Sequence, residues 1–155
     1  MATPNLTDYS TFVYTVMAVP TAALPTNSPW LPWSLSQAEL FVDPALQNAA
    51  TPYFAPVQIN AYVDACYNLA GDLLINYAPD QAGQTFFSDA RTKFSINTAT
   101  TGVVSSTSDE STSVSLAIPP AVSNLLLSQL QNTKTPWGRV YLSYAQSSGS
   151  LWGVS

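Results

Sequence analysis

Two aspartates on one candidate helix, a lone cysteine and an acidic pair among hydroxyls are the residues whose types suit chemistry. Asp64 and Asp72 lie on one run that reads as helix. Paired carboxylates do acid/base work or hold a hard cation, but this spacing covers about 12 Å of helix axis. That is too far for a shared proton and wide for the carboxylates of a glycosidase. With Asn60, Asn68 and Asn76 they make a polar stripe at steps of four, which reads more simply as a solvated or subunit-facing surface. Cys66 sits between Val63 and Ala70 on an apolar seam. No base or cation adjoins it in sequence to make a thiolate, so it reads as a small buried hydrophobe. Asp109 and Glu110 fall far short of a calcium loop and suit a solvated tip. The absence of histidine excludes Ser-His and Cys-His nucleophiles and every histidine-containing zinc site. No glycine-rich phosphate loop is present. The expectation is a chain that is not an enzyme and needs no cofactor or metal.

Residues suited to binding are easier to find. Arg139, one of four cations, is flanked by Trp137 and Tyr141, with Tyr144 following at helical spacing. It suits an interface, stacked on an aromatic or paired with a carboxylate, or else an intramolecular pair with one of the nine acids. Leu151 and Trp152 follow a Gly/Ser-rich stretch, where a bulky apolar anchor implies docking on another chain or folding back on its own.

These residues belong to a chain of 155 residues that is 46% hydrophobic and only 8% charged, against roughly 25% charged in ordinary domains. The length suits one domain, 1–155, with a real core. A net charge of −5 argues against a nucleic-acid-coating face. No apolar run approaches the ~20 residues of a membrane span, and no basic, then apolar leader is expected. One cysteine cannot form an internal disulfide.

The elements that would position them are mainly helical. Tyr9, Phe12, Val13 and Val16 form a stripe on a first helix capped by Thr7 and stopped by Pro20. Residues 20–33, with four prolines, Trp30 and Trp33, read as an extended arm that docks on something. Residues 34–48 read as a helix with Ser36 and Glu39 as a capping box, kinked or split at Pro44. The clearest helix runs from Pro56 to Ala78-Pro79, its seam being Ile59, Val63, Cys66, Ala70, Leu73 and Tyr77. Residues 80–94 predict another helix. The Ser/Thr-rich stretch 95–118 predicts a β-hairpin or long loop, with strand-like residues at 101–105 and 113–118. A helix opens at Pro119-Pro120, another follows Thr135-Pro136, and 145–155 forms an extended tail. The fold class is a small helical bundle with a proline-rich arm, a hairpin or loop, and a tail.

The segments Gly102-Val103-Val104-Ser105-Ser106, Ser113 to Pro119 and Thr135-Pro136-Trp137-Gly138-Arg139-Val140-Tyr141-Leu142, with the ending Leu151-Trp152-Gly153-Val154-Ser155, resemble a family of small tailed-bacteriophage proteins. These are the head–tail adaptors, also called head-completion or connector proteins. The resemblance covers 86–155, extends to the helix at 56–78 and fades over the arm. It implies a structural subunit of the virion neck that assembles in the host cytoplasm. Such subunits form a ring with copies of themselves, commonly twelvefold, below the portal. The ring extends the DNA channel and offers a landing surface to tail or nozzle proteins. DNA would pass without sequence-specific binding, and an acidic wall would keep it from sticking. The C-terminal segment, 143–155 here, would reach onto the portal protein with Trp152 as anchor. The hairpin, through Val103, Val104, Asp109 and Glu110, would touch a neighbour, the portal or the tail. A tail-completion, tail-tube or decoration subunit is the alternative. A hydrolase of cell-wall sugars is remoter, requiring Asp64 or Asp72 in a cleft within roughly 5–10 Å of a second carboxylate. An adhesin-like secreted module is disfavoured.

Overall fold

The computed structural model describes residues 3–48, 60–97, 106–109, 112–115, 132 and 134–147, and is mainly helical. Its axis is α3, Ala61–Tyr77 (17 residues), which is buried almost all round. Asn60 caps it by accepting the Tyr62 N–H at 2.9 Å, and Ala78, held extended before Pro79, ends it. The C-terminus was expected at this point; Pro56, the expected start, lies outside the described residues. A helix buried on every side needs neighbours on every side, and the other helices supply them.

The first of these, α1, covers Leu6–Thr15. Its cap is Asn5 rather than the expected Thr7: Asn5 accepts the Asp8 N–H at 2.8 Å. Its stop comes before Pro20. Ala18 takes a left-handed φ of 54°, and the Val19 N–H reaches back to the Val13 carbonyl at 3.1 Å, so the last carbonyls are closed off. Tyr9 and Val13 are buried, Tyr9 against Tyr67 of α3, and Gly71 of α3 admits the Met17 side chain.

The arm expected over 20–33 is only partly extended. Turns from Pro20 tuck Ala23 and Leu24 into the core, and α2 then runs Trp30–Phe41, taking both tryptophans with it. Pro29 stands at the N-cap and Pro32 in the first turn, where a missing N–H leaves no carbonyl unserved. Ser36 and Glu39 therefore sit mid-helix and form no capping box. The chain does divide near Pro44, as anticipated. Val42 is extended, and Asp43 caps a 3-10 turn, Pro44–Asn48, through the Ala45 N–H at 2.8 Å.

The fourth helix, α4, is shorter than its expected span, Phe86–Lys93. Asp80 accepts the N–H groups of Phe87 (2.7 Å) and Ser88 (3.0 Å), so it caps the helix from a loop that Gly83 turns at φ 76°. Two four-residue strands, β1 (Ser106–Asp109) and β2 (Thr112–Ser115), pair antiparallel with Ser106 opposite Ser115. β1 thus occupies residues expected to turn, while the expected strand at 101–105 lies outside the described residues. So does the helix expected from Pro119-Pro120, apart from Asn132. The last helix, α5, covers Pro136–Ser147, with Thr135 Oγ1 accepting the Gly138 N–H at 2.9 Å. Helix therefore extends into the expected tail as far as 147; residues 148–155 lie outside the described set.

Candidate functional site

Charge is scarce on the outer faces, and hydroxyls and apolar groups take its place. On α1 the hydroxyls of Ser10, Thr11 and Thr15 donate to their own helix at Leu6, Thr7 and Thr11. A shallow cavity of about 500 Å³ lies along that face, lined by Leu6, Thr11 and Tyr14 among others. On α2 the periodicity runs twice. Leu31, Leu35 and Ala38 face the core, while Trp33, Leu40 and Phe41 share an outward stripe. Leu40 is 77% exposed, Phe41 65% and Tyr77, at the end of α3, 60%. Trp33 joins the two helices, its ring edge-on to Trp30 (5.3 Å between centroids) and to Tyr77 (5.9 Å). Together with Pro29 these rings line a second open cavity of about 390 Å³. This aromatic stripe was foreseen only as two tryptophans on an arm; the α2 register that adds Leu40 and Phe41 depends on where the helix starts.

The residues expected to bind partners divide. Trp137 is half-buried, edge-on to Phe94 at 5.9 Å, so it ties α5 to α4. Tyr141 is half-buried against the core, and burial first, then the Cys66 and Asp43 side chains, pushes its hydroxyl upward. Tyr144 is hydrogen-bonded to Asp64; burial and that contact raise it to about 12. Arg139 is exposed and donates to the Lys134 carbonyl at 3.3 Å. Asp109 ends β1, its backbone opposite Thr112. Val103, Val104, Glu110, Leu151 and Trp152 lie outside the described residues.

The polar stripe of α3 is not simply solvated: α5 of the same chain packs along it, burying its middle and leaving Asn60, Asp64 and Asn76 half-buried. Asn68 and Asp72 are buried. Asp72 Oδ1 accepts from the Thr135 hydroxyl and Oδ2 from the Asn76 amide (3.1 Å), while Asn68 donates to Asp64 (3.2 Å). The reason is registry. Thr135 meets α3 at Asp72 and Tyr144 meets it at Asp64, so α5 runs antiparallel along the stripe. Burial pushes the Asp72 carboxyl up to about 7 despite the Thr135 and Asn76 hydrogen bonds. Its side chain is sealed from solvent, at 0% exposure.

Cys66 is fully buried, as its seam position implied. Burial drives its thiol to about 12, against a lowering hydrogen bond from Tyr62. Among the described residues no three acidic, cysteine or histidine side chains could jointly hold a metal ion. None of the described helices is long and apolar enough to cross a membrane.

Among the described residues, fold and surface together define a mainly helical chain with Trp33, Leu40, Phe41 and Tyr77 exposed. No protein-family model, no curated protein and no solved structure matches it.

Proposed function

We propose that this chain is a structural subunit of a tailed-bacteriophage neck, forming a ring between portal and tail. The observation that carries the reading is the apolar stripe Trp33, Leu40, Phe41 and Tyr77, left open on a chain with few charges to keep it solvated. Large apolar side chains exposed together on one helix face mark association. A ring subunit must bury two different faces against its neighbours, because a rotational repeat joins unlike patches. The resemblance over 86–155 supplies the particular assembly. In this reading the portal protein and tail or nozzle proteins are the partners, and the segment beyond α5 carries Trp152 onto the portal.

The test is a binding assay of the purified chain on portal rings of its parent phage, with and without residues 145–155. Retention should fall to background in the truncated chain. Undiminished retention sinks the docking role of the tail. A virion reconstruction with the chain anywhere but between portal and tail sinks the neck assignment.

A further inference from the structure

We propose that Asp72, Thr135 and Gly138 form a proton-sensitive latch holding the start of α5 on α3, tight with Asp72 protonated and looser once it ionises. The latch does not depend on the adaptor reading.

Its geometry is tightly constrained. Asp72 is 0% exposed, and both its carboxyl oxygens are engaged by neutral groups, the Thr135 hydroxyl and the Asn76 amide. Thr135 is itself the N-cap of α5, accepting the Gly138 N–H, so one hydroxyl links the carboxyl to the helix start. A hydroxyl both donates and accepts, so that link survives in either protonation state. What differs between the states is a charge in a site closed to water. Gly138 sets the closeness: a Cβ there would stand 2.1 Å from the Asn132 carbonyl oxygen and 2.8 Å from Asp72 Oδ1. The helix start cannot move aside to admit water while it remains docked.

The charged groups on the surrounding elements are engaged elsewhere. Arg91 of α4 donates to the carbonyls of Ile75 and Ala78, and Lys134 to those of Ser95 and Ile96. Arg139 of α5 donates to Lys134. Asp64, two turns back on α3, meets Tyr144 and Asn68; Asp80, beyond its end, caps α4. From α1 and the turn after it, Phe12 and Met17 meet this part of α3, and both are neutral. The positive end of α5 favours the anion, yet burial outweighs it and the direction is upward.

The sign follows. Docked, Asp72 holds its proton to about pH 7; released into water it reverts to its ordinary 3.8. The docked state therefore binds more protons between these values, and its advantage is complete below 3.8 and lost as pH rises through 7. Each pH unit in that window should open α5 about tenfold more often.

Hydrogen exchange of peptides spanning 136–147 in the full-length chain, corrected for intrinsic rates, reads this directly. Protection should fall about tenfold per unit between about pH 4.5 and 6.5 and level off above about 7.5. It should stay below that of α1 and α2 throughout, which marks a local opening. Asp72→Asn should give a flat profile. Thr135→Val, which removes a donor to the anion, should move the levelling point upward, and it decides the matter alone if Asp72→Asn does not fold. A flat wild-type profile, a pH step retained in Asp72→Asn, a levelling point unmoved by Thr135→Val, or α5 exchanging no faster than α1 and α2 would each overturn the latch.

Discussion

At the scale of single residues, two glycines of this fold meet different neighbours, and the difference sets their tolerance. A Cβ on Gly71 would stand 2.8 Å from Met17 Sδ and 3.2 Å from its Cε, the far end of a flexible side chain. Met17 can swing aside, and alanine brings about 1 kcal/mol of helix propensity. Gly71→Ala should therefore change stability by less than about 1 kcal/mol in either direction. At Gly138 the obstacle is the Asn132 carbonyl, which is backbone, and the buried Asp72 carboxyl. Gly138→Ala should cost about 3 kcal/mol, read as a drop in the urea midpoint at unchanged slope. Equal effects at the two sites would show that α5 shifts freely on α3. Sequence alone could not separate them, because each is a glycine between an apolar residue and a charged one on a helix.

At the scale of elements, the helices are joined through their ends, and the joints respond oppositely to pH. Arg91, in the last turn of α4, closes the carbonyl end of α3. Arg91→Met should cost about 2 kcal/mol, with Arg91→Lys recovering part through its charge. Asp80 works at the other end of the same corner. Burial acts against its ionisation, but hydrogen bonds from Ser88 and Phe87 and the nearby Arg91 charge outweigh it and hold the carboxyl below its ordinary 3.8. Its contribution is therefore present above 3.8 and lost as pH falls further through its own lower value. Acidification from about pH 7 to 3.8 should tighten the Asp72 latch, and further acid should weaken the α4 cap; chemical denaturation across pH should lose the first dependence in Asp72→Asn and the second, of opposite sign, in Asp80→Asn. Periodicity and proline made α1, α3 and α5 legible as helices, and the break at Pro44 as well. The caps at Asn5 and Asp80 were not legible, since any nearby side-chain oxygen can serve. The start of α2 was hidden because Pro29 and Pro32 look like breakers unless their place in the first turn is known. The burial of Asn68 and Asp72 was hidden for a related reason: a polar stripe looks the same whether solvent or a capped helix start covers it.

For the whole molecule, the question is whether the surplus apolar surface is there for partners. Within the outward stripe of α2, Leu40 and Phe41 stand outside the core, so replacing these two should leave the fold intact. Leu40→Gln with Phe41→Ser changes two side chains that are 77% and 65% exposed, and the stability read from urea unfolding should change by no more than about 0.5 kcal/mol. Association should respond very differently. Apolar anchors at the centre of an interface typically carry about 2 kcal/mol or more each, so sedimentation velocity should show self-association weakened at least tenfold. The double variant also separates two explanations of the low charge. If the chain is charge-poor because its faces are covered by copies or partners, the variant stays folded and dissociates. If the stripe were an uncovered accident of composition, the variant would associate as the wild type does, and the charge deficit would need a cause outside α2. The stripe also adjoins the Trp30–Trp33–Tyr77 cluster, so Trp33→Ala should weaken the same association without touching the α5 latch at Asp72 on the polar stripe of α3. Loss of association together with a changed exchange profile in 136–147 would instead mean that the stripe and α5 are coupled through α3.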